Sequence, residues 1–297
     1  MKLARIQENG EAPVIGVLEG EQLHLTRESD ALAVMAENNV AFTGQRIPWE
    51  PLLAGRDGRF RLLAPVDPPE VWACGFTYQR GPQFQRSEML PSGPAYAAAI
   101  AAGRPEIFFK TTGFRVVGPN DPVGIRGDSR YTAVEAELCM ILDEAARPVL
   151  FTAGNDVSAW DIEAQNPLWL AQGKTFEACC TLGPVAVTRE EIPRDARVRC
   201  RVLRGPQVLF DDSVPLSDLK YSFEDLANFA AVYNPLPKGA VLMTGTAVIR
   251  PGNEGLAEGD VVETIIDGIG TLRNVGKLLE AKFPVGDYDF SGFTGGQ

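Results

Sequence analysis

From about residue 66 onward the chain is cut into short apolar segments by Gly and Pro, and this punctuation limits the fold more than any other feature. FRVVGP, AVEAELCMIL, PVLFTAGND, VAVT, RVRCRVLRG, AVLMTGT and DVVETIIDGIGTLRNVG each read as strands. One helix stands out late: Ser222 with Asp225 three residues on caps an apolar pattern of Phe223, Leu226, Phe229 and Ala230, and Pro235 ends it. A mainly β (α+β) roll or barrel with peripheral helices fits this order better than a doubly wound sheet. Residues 1–65 hold KLARIQ, PVIGVLEG, EQLHLT and the helical pattern SDALAVMAENN, which predicts a small β-rich N-terminal domain ahead of a larger domain over 66–297.

Charge and cysteine content narrow the partners. With 39 acidic against 28 basic residues the net charge is -11, which disfavours nucleic acid and anionic membrane surfaces. No apolar run approaches the roughly 20 residues that cross a bilayer, and the N-terminal stretch lacks the apolar core of a signal peptide. The 5 cysteines show no CxxC spacing, so a reduced, cytoplasmic protein is expected. The adjacent Cys179 and Cys180 read as buried thiols beside a Gly-Pro turn.

The stretch YTAVEAELCMIL poses the chemical question. In a strand Glu135 and Glu137 point to the same face, while Thr132, Val134, Ala136, Leu138, Met140 and Leu142 form a core-facing row. The acidic face continues as Cys139 and Ile141, so it is not a solvated one. Two desolvated carboxylates repel each other unless a cation or proton sits between them. A third oxygen ligand is offered by Asp156, at the end of the apolar run in PVLFTAGND. Three carboxylates without histidine or thiolate favour Mg²⁺, with Mn²⁺ and Ca²⁺ as the other hard cations, over zinc.

The order RPEIFFKTTGFRVVGP, VEAEL, AGNDVSAWDIE, GKTFEACCTLGP, LMTGT and LAEGDVVETIIDGIGTLRN resembles the fumarylacetoacetate hydrolase superfamily over about residues 70–276. The resemblance implies a mixed β-roll catalytic domain, a homodimer, and a Mg²⁺ site on Glu135, Glu137 and Asp156. Carbon–carbon bond hydrolases of that superfamily commonly use a histidine-acid pair from the segment that here reads WACGFTYQRGPQFQRSEML, which has no histidine. The single histidine, His24, lies in LHLT of the N-terminal region and reads as a structural or surface residue. A His-dependent hydrolytic dyad is therefore disfavoured.

The wording VWACGFTYQR, RPEIFFK and GNDVSAWDIEAQNPLWLAQGK is similar to a narrower branch, the 2-keto-3-deoxy-D-arabinonate and 2-keto-3-deoxy-D-xylonate dehydratases. The resemblance implies a small anionic keto-acid substrate, with Glu106 as the base that takes a C3 proton. Period-2 spacing puts Glu106, Phe108 and Lys110 on one strand face, which lets a base and a substrate-binding cation both line the site. Lys174 is the second cation, suited to orient substrate or steady an enolate oxygen, and Thr244 and Thr246 are hydrogen-bond candidates for its carboxylate or keto group. Arg80 and Arg86, in a polar, turn-rich segment with the length of a lid, are candidates to meet the anionic substrate. One departure is plain: where the branch reads NDxSxRD, this chain has NDVSAWD, with Trp160 in the arginine's place. Tryptophan cannot support an acidic site by charge. Two other readings compete, a hydrolase of an acylpyruvate or related diketo acid and a non-catalytic keto-acid-binding relative.

Overall fold

A computed structural model describes residues 1–37, 39–79, 94, 97, 98, 101–250 and 254–283. Strands dominate it, as the punctuation predicts. The N-terminal strands are β1 (Lys2–Glu8), β2 (Val14–Glu19), β3 (Gln22–Thr26), β4 (Phe42–Pro48) and β5 (Phe60–Leu63). Then come β6 (Val71–Gly75), β7 (Glu106–Thr111), β8 (Val116–Val117), β9 (Pro122–Ile125), β10 (Thr132–Ala133), β11 (Ala136–Leu142) and β12 (Pro148–Asp156). The last third supplies β13 (Ser158–Ala159), β14 (Cys180–Val187), β15 (Arg197–Arg204), β16 (Gln207–Pro215), β17 (Val241–Met243), β18 (Val261–Ile266) and β19 (Gly270–Leu278).

Among the described residues the largest sheet runs β4-β3-β2-β1-β14-β12-β11-β17-β6-β7, with β5 on β1 and β8 on β14. A five-stranded sheet, β16-β15-β18-β19-β9, packs against β11, β12 and β14. The helix Phe223–Ala231 also packs on β12, its Phe223 ring 5.1 Å from that of Phe151. The N-terminal strands join the large sheet through β1, which pairs with β14 at Lys2↔Val187 and Leu3↔Ala186.

This layering explains the apolar wording of β11 and β12. All seven residues of β11 are buried, so the strand has no solvent face and its alternation separates two interiors. Leu138, Met140, Ile141 and Leu142 are each 0% exposed, and each such side chain contributes roughly 1.5–3 kcal/mol by leaving water. The predicted helix over Phe223–Ala231 carries the capping box read from Ser222 and Asp225. FRVVGP departs from its strand reading: Gly113–Arg115 is a 3-10 turn and only Val116–Val117 is extended. Gly183 and Pro184 lie within β14 instead of forming a turn, and all five cysteines are buried.

Candidate active site

The antiparallel register of β11 on β12 builds the acidic cluster. Ala136 pairs with Asn155 and Glu137 with Gly154, so the start of β11 lies beside the end of β12. Glu137 thereby shares a face with Gly154 and, one pleat on, with Asp156. Glu135 precedes the strand and is locked to it twice. Its N–H donates to Asn155 Oδ1 at 2.9 Å, and its carbonyl accepts from the Asp156 N–H at 3.0 Å. Carboxylate oxygens of Glu135, Glu137 and Asp156 all lie within 4.8 Å of one another. Their residues are 5%, 1% and 1% exposed.

Each carboxylate is held by a donor from a different segment. Gly245 donates its N–H to Glu137 Oε2 at 2.7 Å. Lys110, at 0% exposure, forms an ion pair with Asp156 Oδ1 at 2.6 Å and donates to Val157 O at 2.8 Å and to Lys174 O. Trp160 donates its indole N–H to Glu135 Oε1 at 2.6 Å. Lys174, the last residue of the short helix Leu170–Lys174, then bridges the cluster. Its Nζ lies 3.2 and 3.1 Å from the two Glu135 oxygens, 3.0 Å from Asp156 Oδ2, 2.8 Å from Ser158 Oγ and 3.7 Å from Glu163 Oε2.

The electrostatics follow from this geometry. Burial pushes Glu135 up to about 7, against the Lys174 ammonium and with repulsion from Asp156 and Glu163. Burial, reinforced by Asp156 and Glu135, drives Glu137 well above the carboxylate range. Asp156 goes the other way: burial opposes ionisation, but Lys110 and Lys174 together hold it below its ordinary value. Lys174 is raised despite burial, chiefly by Asp156 and Glu135, so it stays an ammonium. A buried group of acids that repel one another, all with hard oxygen donors, fits a divalent cation such as Mg²⁺.

The face predicted on β7 is present. Lys110 reaches Asp156, Phe108 lies under the Lys174 ammonium at 5.3 Å from its ring centre, and Glu106 is half-buried at the strand's start. Glu106 pairs with Gly75 on β6, where a Cβ would strike the Glu106 carboxylate; the glycine makes that side chain's place. Burial raises the Glu106 carboxyl, Lys174 opposes, and Glu135 and Asp156 add repulsion.

Other candidates stand differently. The Thr244 hydroxyl donates to Leu138 O at 2.9 Å, and the Thr246 hydroxyl accepts from Val248 N–H at 3.1 Å, so both serve the backbone around Gly245. Arg80 and Arg86 lie outside the described residues. His24 sits in β3, four strands of the sheet away from β12, with Nε2 at 3.8 Å from Glu19 Oε2. Asp161 binds Ser129 Oγ at 2.6 Å and Arg130 N–H at 2.8 Å, steadying the approach to β10.

Sequence reasoning missed the part played by Trp160. It lacks an arginine's charge, yet its N–H reaches the acidic cluster. It also missed Ser158 and the Gly245 N–H. The signals were there in NDVS, two residues beyond Asp156, and in a glycine between two threonines.

Known proteins resemble this chain in sequence and in fold. Residues 94–275 match the family model described as "Fumarylacetoacetate (FAA) hydrolase C-terminal". The chain is 34% identical over 282 residues to 2-dehydro-3-deoxy-D-arabinonate dehydratase of Saccharolobus solfataricus, covering 92% of this chain and 95% of that protein. It is 40% identical over 213 residues to a probable 2-keto-3-deoxyxylonate dehydratase of Haloferax volcanii, covering 71% and 73%. A solved 2-keto-3-deoxy-D-arabinonate dehydratase complexed with magnesium and 2,5-dioxopentanoate superposes with a TM-score of 0.83 at 34% identity, covering 95% of this chain and 100% of that one.

Proposed function

This chain belongs to the fumarylacetoacetate hydrolase family, and on that premise we propose that it is a Mg²⁺-dependent dehydratase of a 2-keto-3-deoxy pentonate. The observation that carries the reading is the buried triad of Glu135, Glu137 and Asp156 beside an ammonium and a separate carboxyl, Lys174 and Glu106. Likeness to the arabinonate and xylonate dehydratases supports the substrate class.

Glu135, Glu137 and Asp156 are the residues that would hold the cation, which supplies Lewis acidity to a 2-keto acid and so makes its C3 protons removable. Glu106 is the base. Its carboxyl lies outside the triad, and burial raises its proton affinity toward what proton abstraction needs. Lys174 remains charged and so faces the negative charge that develops when the C3 proton leaves. The electron pair left at C3 expels the C4 hydroxyl, which leaves as water, and the product is a C3=C4 enone that keeps its C5 hydroxyl. Loss of a C5 proton and protonation at C3 then give a C4=C5 enol, whose tautomerisation yields 2,5-dioxopentanoate. All three Lys110 donors and the Thr244 hydroxyl are directed at protein oxygens. We therefore assign them to positioning Asp156 and the Gly245 loop, not to substrate contact. A homodimer in the cytoplasm completes the reading; membership of the family supports the first, and cysteines that are all free and buried support the second.

The test is to incubate the protein with 2-keto-3-deoxy-D-arabinonate, its C4 epimer and acetylpyruvate, with Mg²⁺ and then with EDTA, following products by NMR. A metal-dependent aldehyde proton is expected from one sugar acid, absent in Glu106→Gln. Release of acetate and pyruvate from acetylpyruvate, with no aldehyde, would instead establish a hydrolase.

A further inference from the structure

Each acid of the triad has a principal donor of its own, and these three differ in kind. Asp156 has the Lys110 ammonium, Glu137 a backbone N–H, and Glu135 the neutral indole of Trp160. Glu135 has a second partner in Lys174, which contacts both its oxygens. That partner is shared with Asp156, Ser158 and Glu163, and it carries the same sign of charge as any metal the triad would hold. Bringing a divalent cation among Glu135, Glu137 and Asp156 repels the ammonium. An indole N–H bears no net charge and suffers no such repulsion. The residue that carries it is itself fixed: the Trp160 backbone N–H donates to Tyr131 O at 3.0 Å, and the Trp160 ring lies 6.1 Å from that of Tyr131. Tyr131 in turn leads into β10, which pairs with β13 at Thr132↔Ala159.

We propose that Trp160 is a positioning residue for the cation site, holding Glu135 through its indole N–H and so setting the affinity for the divalent ion. The inference rests on the reading of the triad as a cation site. Donors behind metal ligands typically change metal affinity by about 10–100-fold when removed. Trp160 therefore supports the acidic site by hydrogen bonding, without adding a positive charge beside the cation the triad would hold.

Mn²⁺ is the probe, with free ion counted by its EPR signal in the parent protein, Trp160→Phe and Trp160→Gln. Thermal unfolding without metal checks that each variant is folded. Trp160→Phe keeps an aromatic ring and loses the donor, and its Kd for Mn²⁺ is expected to rise about 10-fold or more. Trp160→Gln keeps an N–H without the ring and is expected to recover part of that loss. In the parent, tryptophan emission should shift on Mg²⁺ addition with the same midpoint as binding, and this response should vanish in Trp160→Phe. The Mg²⁺ concentration for half-maximal turnover should rise by the same factor as Kd. A Trp160→Phe protein that binds Mn²⁺ as tightly as the parent, or a Trp160→Gln protein no tighter than Trp160→Phe, overturns the proposal. Parent protein that binds no Mn²⁺ overturns the cation-site reading and this inference together. Parent protein that binds Mn²⁺ but dehydrates nothing defeats only the assigned reaction, and the variant comparison still decides the role of Trp160.

Discussion

Substituting Gly245 by alanine tests how the site is anchored, because one residue meets two demands there. Its φ is +89°, and its N–H is the donor to Glu137 Oε2. A Cβ at this position would overlap Thr77 Oγ1 and come within 2.9 Å of the Cys74 carbonyl oxygen. A left-handed conformation costs a non-glycine residue about 1–2 kcal/mol, and forcing an extra carbon into a packed interior adds about 1–3 kcal/mol. Gly245→Ala should therefore lose roughly 2–5 kcal/mol, a large share of the 5–15 kcal/mol typical of a folded domain.

The two causes can be separated. Thr77 Oγ1 donates to Thr244 O at 2.5 Å, so Thr77→Ala alone gives up one buried hydrogen bond, worth about 0.5–1.5 kcal/mol. In that background the alanine at 245 no longer meets the hydroxyl, while the backbone strain and the Cys74 carbonyl remain. The cost of Gly245→Ala should fall by about 1–2 kcal/mol when Thr77 is alanine. Urea unfolding of the parent, both single variants and the double variant gives all four corners. A cost below about 1 kcal/mol, or one unchanged by Thr77→Ala, would refute the steric argument. Mn²⁺ affinity should fall in Gly245→Ala as well, since relieving the clash moves the N–H that holds Glu137.

Three further outcomes follow from single contacts. Ser222→Ala removes one half of the capping box on Phe223–Ala231 and should cost about 1 kcal/mol in urea unfolding, with little change in turnover. Lys110→Met leaves Asp156 buried with one cation fewer and two carbonyls unpaired; loss of one partner of a buried pair costs about 3–5 kcal/mol, and Lys110→Arg should not restore it in a site with no exposure. Against its burial, Asp260 is held below the ordinary carboxylate range by Arg204 and the Ala257 N–H. Its contribution to stability is thus complete above the unfolded-state pKa of about 4 and fades as pH falls through the lower folded value, so Asp260→Asn should flatten the acid limb of urea midpoints measured from pH 7 to pH 3.

How much of this was legible in the sequence depends on the range of the interaction. The strand β12 and the capped helix came directly from local pattern, since Pro148–Asp156 and Ser222–Asp225 hold their own signals. Glu135, Glu137 and Asp156 were found because alternation puts the glutamates on one side and the aspartate ends an apolar run. What alternation did not give was the depth: β11 is covered on both faces, which depends on a second sheet formed by residues far along the chain. FRVVGP misled because a short apolar run does not reveal that its first residues turn. The acceptors of Lys110 were not legible because they lie 46 to 64 residues away, as Asp156, Val157 and Lys174. Trp160 was read by its charge alone, and only the packed structure turns the indole edge toward Glu135.

The donors that hold the triad come from β7, from the chain just after β13 and from the loop after β17, and the carboxylates themselves from β11, the residue just before it and β12. The ammonium, the indole and the backbone N–H each come from a segment other than that of the acid they hold. The cluster's mutual repulsion can therefore be restrained only after β6, β7, β11, β12 and β17 have assembled into one sheet. Before that point the acids are solvated and repel weakly; afterwards they are dry and need a cation. Lys174 meets part of that need with one positive charge against three carboxylates, aided by Lys110 at Asp156 alone. On the proposed reading, the remaining negative charge is what would draw a hard divalent ion to the folded protein and not to the unfolded chain. A metal that binds only the native state stabilises it by about 2.7 kcal/mol at a hundred times its Kd. Mg²⁺ should raise the urea midpoint of the parent protein and fail to raise that of Glu137→Gln, in which the triad has lost one of its charges.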